Sequence, residues 1–222
     1  ACSCLDTDKF KLHEVKIIAL LDEINRDKSS VEISTPYQNY YKPLTLIDAL
    51  SLRRKYPHAI IVSGASDTAL RQTKKRELLS EILDISDISD LKYFVEDEKV
   101  FKIGAGLNLE QLKSYSNENL PALHKMLQIF GSLQIRNLAT IGGNIGSASP
   151  IGDTLPLLLA YKAQVKLQSI DSERLVPMDD FIKGYRSTDI RFDELITAIH
   201  IPKLPADTFV NSYKVSKRKD LD

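Results

Sequence analysis

The stretch Thr140-Ile141-Gly142-Gly143-Asn144-Ile145-Gly146-Ser147-Ala148-Ser149-Pro150-Ile151-Gly152-Asp153 holds four of the nine glycines in a chain of 222 residues. Glycine loses more backbone entropy on folding than any other residue and brings no side chain to pack. Concentrating it beside Thr, Asn and Ser makes sense where backbone must come close to a ligand; a glycine-rich surface loop is the competing reading. The stretch is not a Walker loop, because no Gly-Lys-Ser/Thr follows. It is not the dinucleotide fingerprint either, because Gly-x-Gly-x-x-Gly is absent. Gly104-Ala105-Gly106 is an isolated Gly-x-Gly with little meaning of its own.

A second stretch of similar character lies upstream. Ala59-Ile60-Ile61-Val62 is a continuous apolar run of strand length between Pro57 and Gly64, and it reads as a strand buried on both faces of a parallel sheet. It leads into Ser63-Gly64-Ala65-Ser66-Asp67-Thr68, a tight turn of small and hydroxyl residues. Such a turn can aim successive N–H groups at one spot and hold a phosphate without cationic side chains. An ordinary strand-to-helix connection would have the same composition.

The surrounding sequence divides by pattern. Residues 8–26 read as a helix, with Val15, Ile18, Leu21 and Ile24 at helical spacing, and residues 26–30 read as a polar linker. Tyr40-Tyr41 is extended, and Thr45 with Asp48 resembles a capping box before a helix carrying Leu46, Ile47, Leu50 and Leu52. With Ile82-Leu83-Asp84-Ile85 as a neighbouring strand, residues 37–90 form a small β-α-β unit. Beyond it, residues 92–96 and 100–103 read as a hairpin around Asp97-Glu98-Lys99, and residues 164–168 and 174–178 as another around Asp171-Ser172. Asn108 caps a short helix through Gln111. Leu123, Met126, Leu127 and Phe130 line one face of the next helix, and residues 195–201 are a strand stopped by Pro202. Residues 91–202 thus predict a larger, mostly antiparallel sheet with helices.

Composition narrows the function classes. There are 30 Lys+Arg and 30 Asp+Glu, for a net charge of zero, which argues against a nucleic-acid binder. The 43% hydrophobic fraction supports a real core, and no apolar run approaches the ~20 residues that span a bilayer. The only two cysteines, Cys2 and Cys4, exclude a disulfide framework and a four-thiolate metal site within this chain. A soluble, cytoplasmic setting fits, and the first residue, not a Met, suggests a processed or excised piece. Lys74-Lys75-Arg76 reads as a solvated run, and the four histidines share no ligand spacing.

Residues 136–145, Arg136-Asn137-Leu138-Ala139-Thr140-Ile141-Gly142-Gly143-Asn144-Ile145, followed by Ala148-Ser149-Pro150-Ile151-Gly152-Asp153, resemble the flavin loop of the molybdenum hydroxylase family. The likeness is closest to the FAD domain of xanthine dehydrogenases in their bacterial small-subunit arrangement. Residues 61–68 resemble that family's other flavin loop. Gly184-Tyr185-Arg186-Ser187-Thr188 and Ser212-Tyr213-Lys214-Val215-Ser216-Lys217-Arg218-Lys219-Asp220 also look like family segments. The resemblance covers residues 37–220 and implies an α+β, two-lobed FAD-binding fold of the vanillyl-alcohol-oxidase (PCMH) type. In it, a small parallel lobe (37–90) and a larger antiparallel lobe (91–210) clamp an extended FAD. Residues 1–36 would be a linker helix from an iron–sulfur region, and residues 211–222 the start of a C-terminal flavoprotein domain.

The same resemblance distributes roles. Ile61, Val62, Ser63, Gly64, Ala65, Ser66, Asp67 and Thr68 would surround the FAD diphosphate, and Thr140, Ile141, Gly142, Gly143 and Asn144 would form a second wall. Phe130 would lie against the isoalloxazine ring; core packing is its alternative. Asp153 would reach a polar part of FAD, or else cap the helix that follows. Ile196 would touch FAD from the larger lobe, and Lys214 would approach the flavin edge, with a solvated face as its rival. Tyr185 would sit near the nicotinamide side. The family's two [2Fe–2S] clusters need eight cysteines and so belong elsewhere, as does the molybdopterin-binding large subunit. The implied activity is electron transfer from iron–sulfur clusters through FAD to NAD+ or O2, within an oligomeric complex. The alternatives are the flavoprotein unit of a carbon monoxide or aromatic-acyl-CoA enzyme, or an interaction domain that has lost FAD.

Overall fold

The computed structural model describes residues 13–26, 29–205 and 207–216, so Cys2, Cys4, the start of the 8–26 helix and the residues 217–220 lie outside the described residues. The chain divides into two units at Ser30/Val31. The first contains one helix, α1 (Glu14–Arg26), with Glu14 in its first turn and Arg26 in its last, each of the sign that complements the helix dipole.

The second unit is built on two sheets. The first joins β1 (Val31–Ser34), β2 (Asn39–Lys42), β3 (Ile60–Val62) and β4 (Glu81–Asp84) in the order β1-β2-β4-β3. Strands β2, β4 and β3 run parallel, as the β-α-β reading requires, and β1 adds antiparallel to β2. Residues 31–34, which the sequence reading leaves with the linker, are therefore an edge strand. The run at 60–62 is half-buried rather than buried on both faces, because β3 is the other edge of the sheet. Between β2 and β3 lies α2 (Leu46–Lys55), whose N-cap Thr45 accepts from the Asp48 N–H at 3.1 Å and donates to the Asp48 carboxylate at 2.7 Å. Helix α3 (Ala69–Thr73) follows the 63–68 turn.

The second sheet is five-stranded and antiparallel. Its strands are β5 (Phe94–Glu96), β6 (Val100–Gly104), β7 (Gln164–Gln168), β8 (Glu173–Pro177) and, as the central strand, β11 (Leu195–Pro202), in the order β5-β6-β11-β7-β8. Both sequence-read hairpins are present, and Asp97 stabilises the first turn by accepting from the Lys99 and Val100 N–H groups. A short hairpin, β9 (Ile182–Gly184) with β10 (Ser187–Thr188), follows α9 (Met178–Phe181).

Five helices lie between β6 and β7: α4 (Leu109–Asn119), α5 (Pro121–Gln128), α6 (Leu133–Leu138), α7 (Ile141–Ser147) and α8 (Thr154–Ala160). Asn108 caps α4 through the Gln111 N–H at 2.8 Å. Leu123, Met126 and Leu127 are buried on α5, but α5 ends at Gln128 and Phe130 sits in the turn beyond it. One core gathers Ile103, Leu112, Leu123, Leu127, Ile141, Phe181 and Ile199; a smaller one gathers Leu50, Ala59, Leu83, Ile88 and Leu195.

Candidate functional site

A cavity of about 490 Å3 opens where the two cores meet. Ile61, Ile85 and Leu195 belong to the smaller core, and Ala105, Ala139, Phe130, Ile190 and Ile196 to the larger. The volume lies within the ~300–1,000 Å3 usual for small-molecule sites.

One wall is the turn after β3. Ser63, Gly64, Ala65, Ser66, Asp67 and Thr68 all line the cavity. Ala65 adopts a left-handed φ of 57°, which bends the chain sharply before α3. Among the described residues, the N–H groups of Ala65, Ser66, Asp67 and Thr68 donate to no protein acceptor. An ideal Cβ at Gly64 would lie 1.8 Å from the Leu138 carbonyl oxygen, so glycine is what lets this turn touch the end of α6. Asp67 pairs with Arg186 of the β9–β10 hairpin through two bonds of 3.0 and 3.2 Å, both side chains being exposed.

The other wall is the glycine-rich stretch, which is a helix rather than a loop. Three glycines in α7 cost roughly 1 kcal/mol each against Ala, and local bonds offset that cost. Thr140 is the N-cap, its hydroxyl accepting from the Gly143 N–H at 3.1 Å. The Ile141 and Gly142 N–H groups donate to Leu107 O and Ala105 O at 3.1 and 2.9 Å. Gly142 is buried against Ala105, whose Cβ and carbonyl oxygen would stand 2.6 and 2.7 Å from any Cβ placed there. Gly143 and Gly146 face outward to the cavity, where an added Cβ would meet only Thr140 Oγ1 at 3.0 Å or Ile196 Cδ1 at 3.2 Å. Asn144 lines the cavity too, and its Oδ1 accepts from the Thr154 hydroxyl.

Phe130 is half-buried; it packs on the larger core and also lines the cavity. Arg136 fixes its turn by donating to Phe130 O and Gly131 O at 3.0 and 2.9 Å while pairing with Glu110 at 2.6 Å. The buried Glu194 does the same for the strap that supplies Ile190, Leu195 and Ile196. Burial pushes its pKa up, but bonds from Arg174, at 2.7 and 2.8 Å, and from the Arg191 N–H outweigh that and hold it below the usual carboxylate value.

Five of the residues singled out in the sequence do not line the cavity. Val62 is on β3, and its carbonyl accepts from the Ile85 N–H. Ile141 is fully buried in the larger core. Asp153 and Lys214 bind each other at 2.8 Å, so Asp153 makes no side-chain cap for α8 and Lys214 is not a solvated cation. Tyr185 is exposed at the hairpin tip. Sequence reasoning missed Arg53, Ile85, Ala105, Ile135 and Ile190, which reach the cavity from elements distant in the chain. Arg136 stood inside the quoted motif, but nothing in the sequence marked its hold on the Phe130 turn.

Comparison with known proteins agrees with this geometry. Residues 29–204 match the family described as the FAD binding domain in molybdopterin dehydrogenase. The chain is 30% identical over 197 residues to a xanthine dehydrogenase of Emericella nidulans, covering 83% of this chain and 14% of that protein. It is 29% identical over 215 residues to the xanthine dehydrogenase/oxidase of Gallus gallus, covering 91% and 16%. It thus spans only a small part of these relatives. Among solved structures, a carbon monoxide dehydrogenase from Hydrogenophaga pseudoflava superposes with a TM-score of 0.78 at 25% identity, covering 84% of this chain and 66% of that one. Quinoline 2-oxidoreductase from Pseudomonas putida 86 superposes with a TM-score of 0.74 at 22% identity, covering 85% and 66%, and shares the fold. The chain belongs to the FAD-binding domains of molybdopterin dehydrogenases, and its mixed α/β architecture is that of the PCMH-type FAD domain.

Proposed function

We propose that this member of the molybdopterin-dehydrogenase FAD domains holds FAD in the cavity between its two cores, and serves as the flavin-bearing electron-transfer part of a xanthine dehydrogenase-type oxidoreductase. The observation that carries the reading is the 65–68 turn, where four successive residues that line the cavity carry N–H groups with no protein acceptor among the described residues. Such an array suits a diphosphate, whose charge needs donors but no fixed counter-ion. Bound FAD would supply the redox chemistry, taking electrons from iron–sulfur clusters carried elsewhere and giving them to NAD+ or O2.

The chain's own residues then bind, orient and exclude water. Ser63, Gly64 and residues 65–68 hold the diphosphate. Gly143 and Gly146 leave room for the cofactor beside α7, and Phe130 and Ile196 offer apolar contact to its ring system. Asp153 and Lys214 neutralise each other outside the wall and tie the 207–216 segment to the start of α8, so neither is assigned a direct contact here. No side chain acts as an acid or base. Partners carrying molybdopterin and [2Fe–2S] clusters, and a cytoplasmic setting, belong to the same reading. The likeness to the Hydrogenophaga carbon monoxide dehydrogenase favours a second assignment, the flavoprotein unit of an enzyme of that type.

Titration of the purified chain with FAD tests the proposal. Saturable quenching of flavin fluorescence and a structured flavin spectrum are expected. Folded protein that binds no FAD would leave the interaction-domain reading in its place.

A further inference from the structure

The cavity contains a charged group to which the proposed function gives no task. Arg53, on α2, is 8% exposed and lines the cavity. Its Nη1 donates to Ala59 O at 3.0 Å, while its Nε is buried with no partner. Among the described residues it forms no ion pair within 4.0 Å. Burial pushes its pKa down, and the charge of Asp193, acting at longer range, restores only part of the shift. A buried cation without a paired anion is costly, and a Met or Leu would fill similar space without the cost. A guanidinium has five N–H donors, so this one keeps donors to offer.

Its neighbours define what it could read. The cavity residues that belong to the smaller core beside Arg53 are aliphatic: Ile61, Ile85 and Leu195. Hydroxyl and free N–H groups are concentrated instead in residues 63–68, and Phe130 belongs to the larger core. A diphosphate is drawn to the donor-rich turn. A flat heteroaromatic base with ring-nitrogen acceptors suits aliphatic walls with one strong donor.

We infer that Arg53 is a further binding residue, donating from its guanidinium to a ring nitrogen of the adenine end of the cofactor while Ile61, Ile85 and Leu195 flank the base. The inference rests on the FAD reading, which places the ring system at Phe130 and the diphosphate on the 63–68 turn. A hydrogen bond from a charged donor contributes ~1.5–3 kcal/mol, so its loss corresponds to roughly tenfold to a hundredfold in affinity.

The test compares wild type, Arg53→Met and Arg53→Lys for binding of FAD and of FMN, which lacks the adenosine half, with adenosine and inorganic pyrophosphate as competitors. Arg53→Met should weaken FAD and adenosine by that factor and leave FMN and pyrophosphate unchanged, with Arg53→Lys intermediate. Unchanged FAD affinity, an equal loss for FAD and FMN, or a loss confined to pyrophosphate would each overturn the assignment. Should the variants fail to fold, the Arg53 Nε–H resonance of the wild type must shift on adding adenosine and not on adding pyrophosphate; the absence of that shift would be equally decisive. Adenosine binding that perturbs this resonance in a protein that binds no flavin would sink the FAD reading while leaving the base site standing.

Discussion

Along residues 141–144 every backbone N–H donates within the protein, to Leu107 O, Ala105 O, Thr140 Oγ1 and Thr140 O. Along residues 65–68, on the facing wall, four successive N–H groups have no protein acceptor among the described residues. The first wall carries three glycines within one short helix; the second carries only Gly64. Glycine content and ligand-binding capacity are therefore separate properties here. The glycines of α7 permit close approach, of backbone to backbone at Gly142 and of ligand to helix at Gly143 and Gly146. The donors for an anion come from a turn whose sequence is mostly Ala, Ser, Asp and Thr.

The largest expected effect comes from forcing side chains into the contacts that shape both walls. Gly64→Ala puts a Cβ 1.8 Å from Leu138 O, and Gly142→Ala puts one 2.6 Å from the Ala105 side chain. Backbone must move in both cases, so each should cost about 3 kcal/mol or more, the upper end for overpacking. Gly143→Val is the control that sharpens the comparison. It should hold apo stability to within about 1 kcal/mol of wild type while abolishing detectable FAD binding. Denaturant unfolding together with FAD titration measures both; a Gly142 variant as stable as wild type would erase the distinction between the two glycines.

The strap bearing Ile190, Leu195 and Ile196 is held by the Glu194–Arg174 pair as well as by core packing, and acid acts on the pair. The folded-state pKa of Glu194 lies below its unfolded value. Its contribution is therefore complete above the unfolded pKa, near 4.5, and is lost as pH falls through the lower folded value. Glu194→Gln should lower stability at pH 7 by about 2 kcal/mol, since a neutral amide replaces the charged partner of Arg174. It should also flatten the decline in stability below pH 4.5. A melting profile against pH that is parallel for wild type and variant would refute this.

Phe130 joins the two walls differently, being core on one side and cavity on the other. A fully buried Phe→Ala costs ~3–5 kcal/mol. For this half-buried ring, about 1–2 kcal/mol in apo stability is expected, with the larger change in FAD affinity and in the spectrum of bound flavin. An apo stability loss of the full size, with unaltered flavin spectra, would return Phe130 to the core alone.

The smallest effect should come from Asp67→Asn. The Asp67–Arg186 pair links the donor turn to the β9–β10 hairpin, but both side chains are nearly half exposed, at 47% and 44%. Exposed pairs contribute ~0–1 kcal/mol and are screened by salt, so the change in melting temperature should fade at high ionic strength. A large, salt-independent loss would mean that the turn depends on this pair for its shape.

By itself the sequence determined the local elements whose signals are local. Thr45 and Asn108 could be read as N-caps because a capping side chain bonds within three residues of itself, and the two hairpins could be read from alternation around short polar turns. The small β-α-β unit followed from the apolar runs at 59–62 and 82–85 and the extended Tyr40-Tyr41 before a capped helix, and the two stretches at 61–68 and 140–144 were marked by composition. What tertiary structure decided was everything set by contacts distant in sequence. Residues 31–34 became a strand only because β2 offered a free edge. The three-glycine stretch became a helix because Ala105 and Leu107 accept its first N–H groups. Lys214 met Asp153 across 61 positions, and Arg53 came to the cavity wall from a helix that its sequence marks only as capped and basic. Burial and pairing between such segments depend on the whole fold, and no window of neighbouring residues contains them.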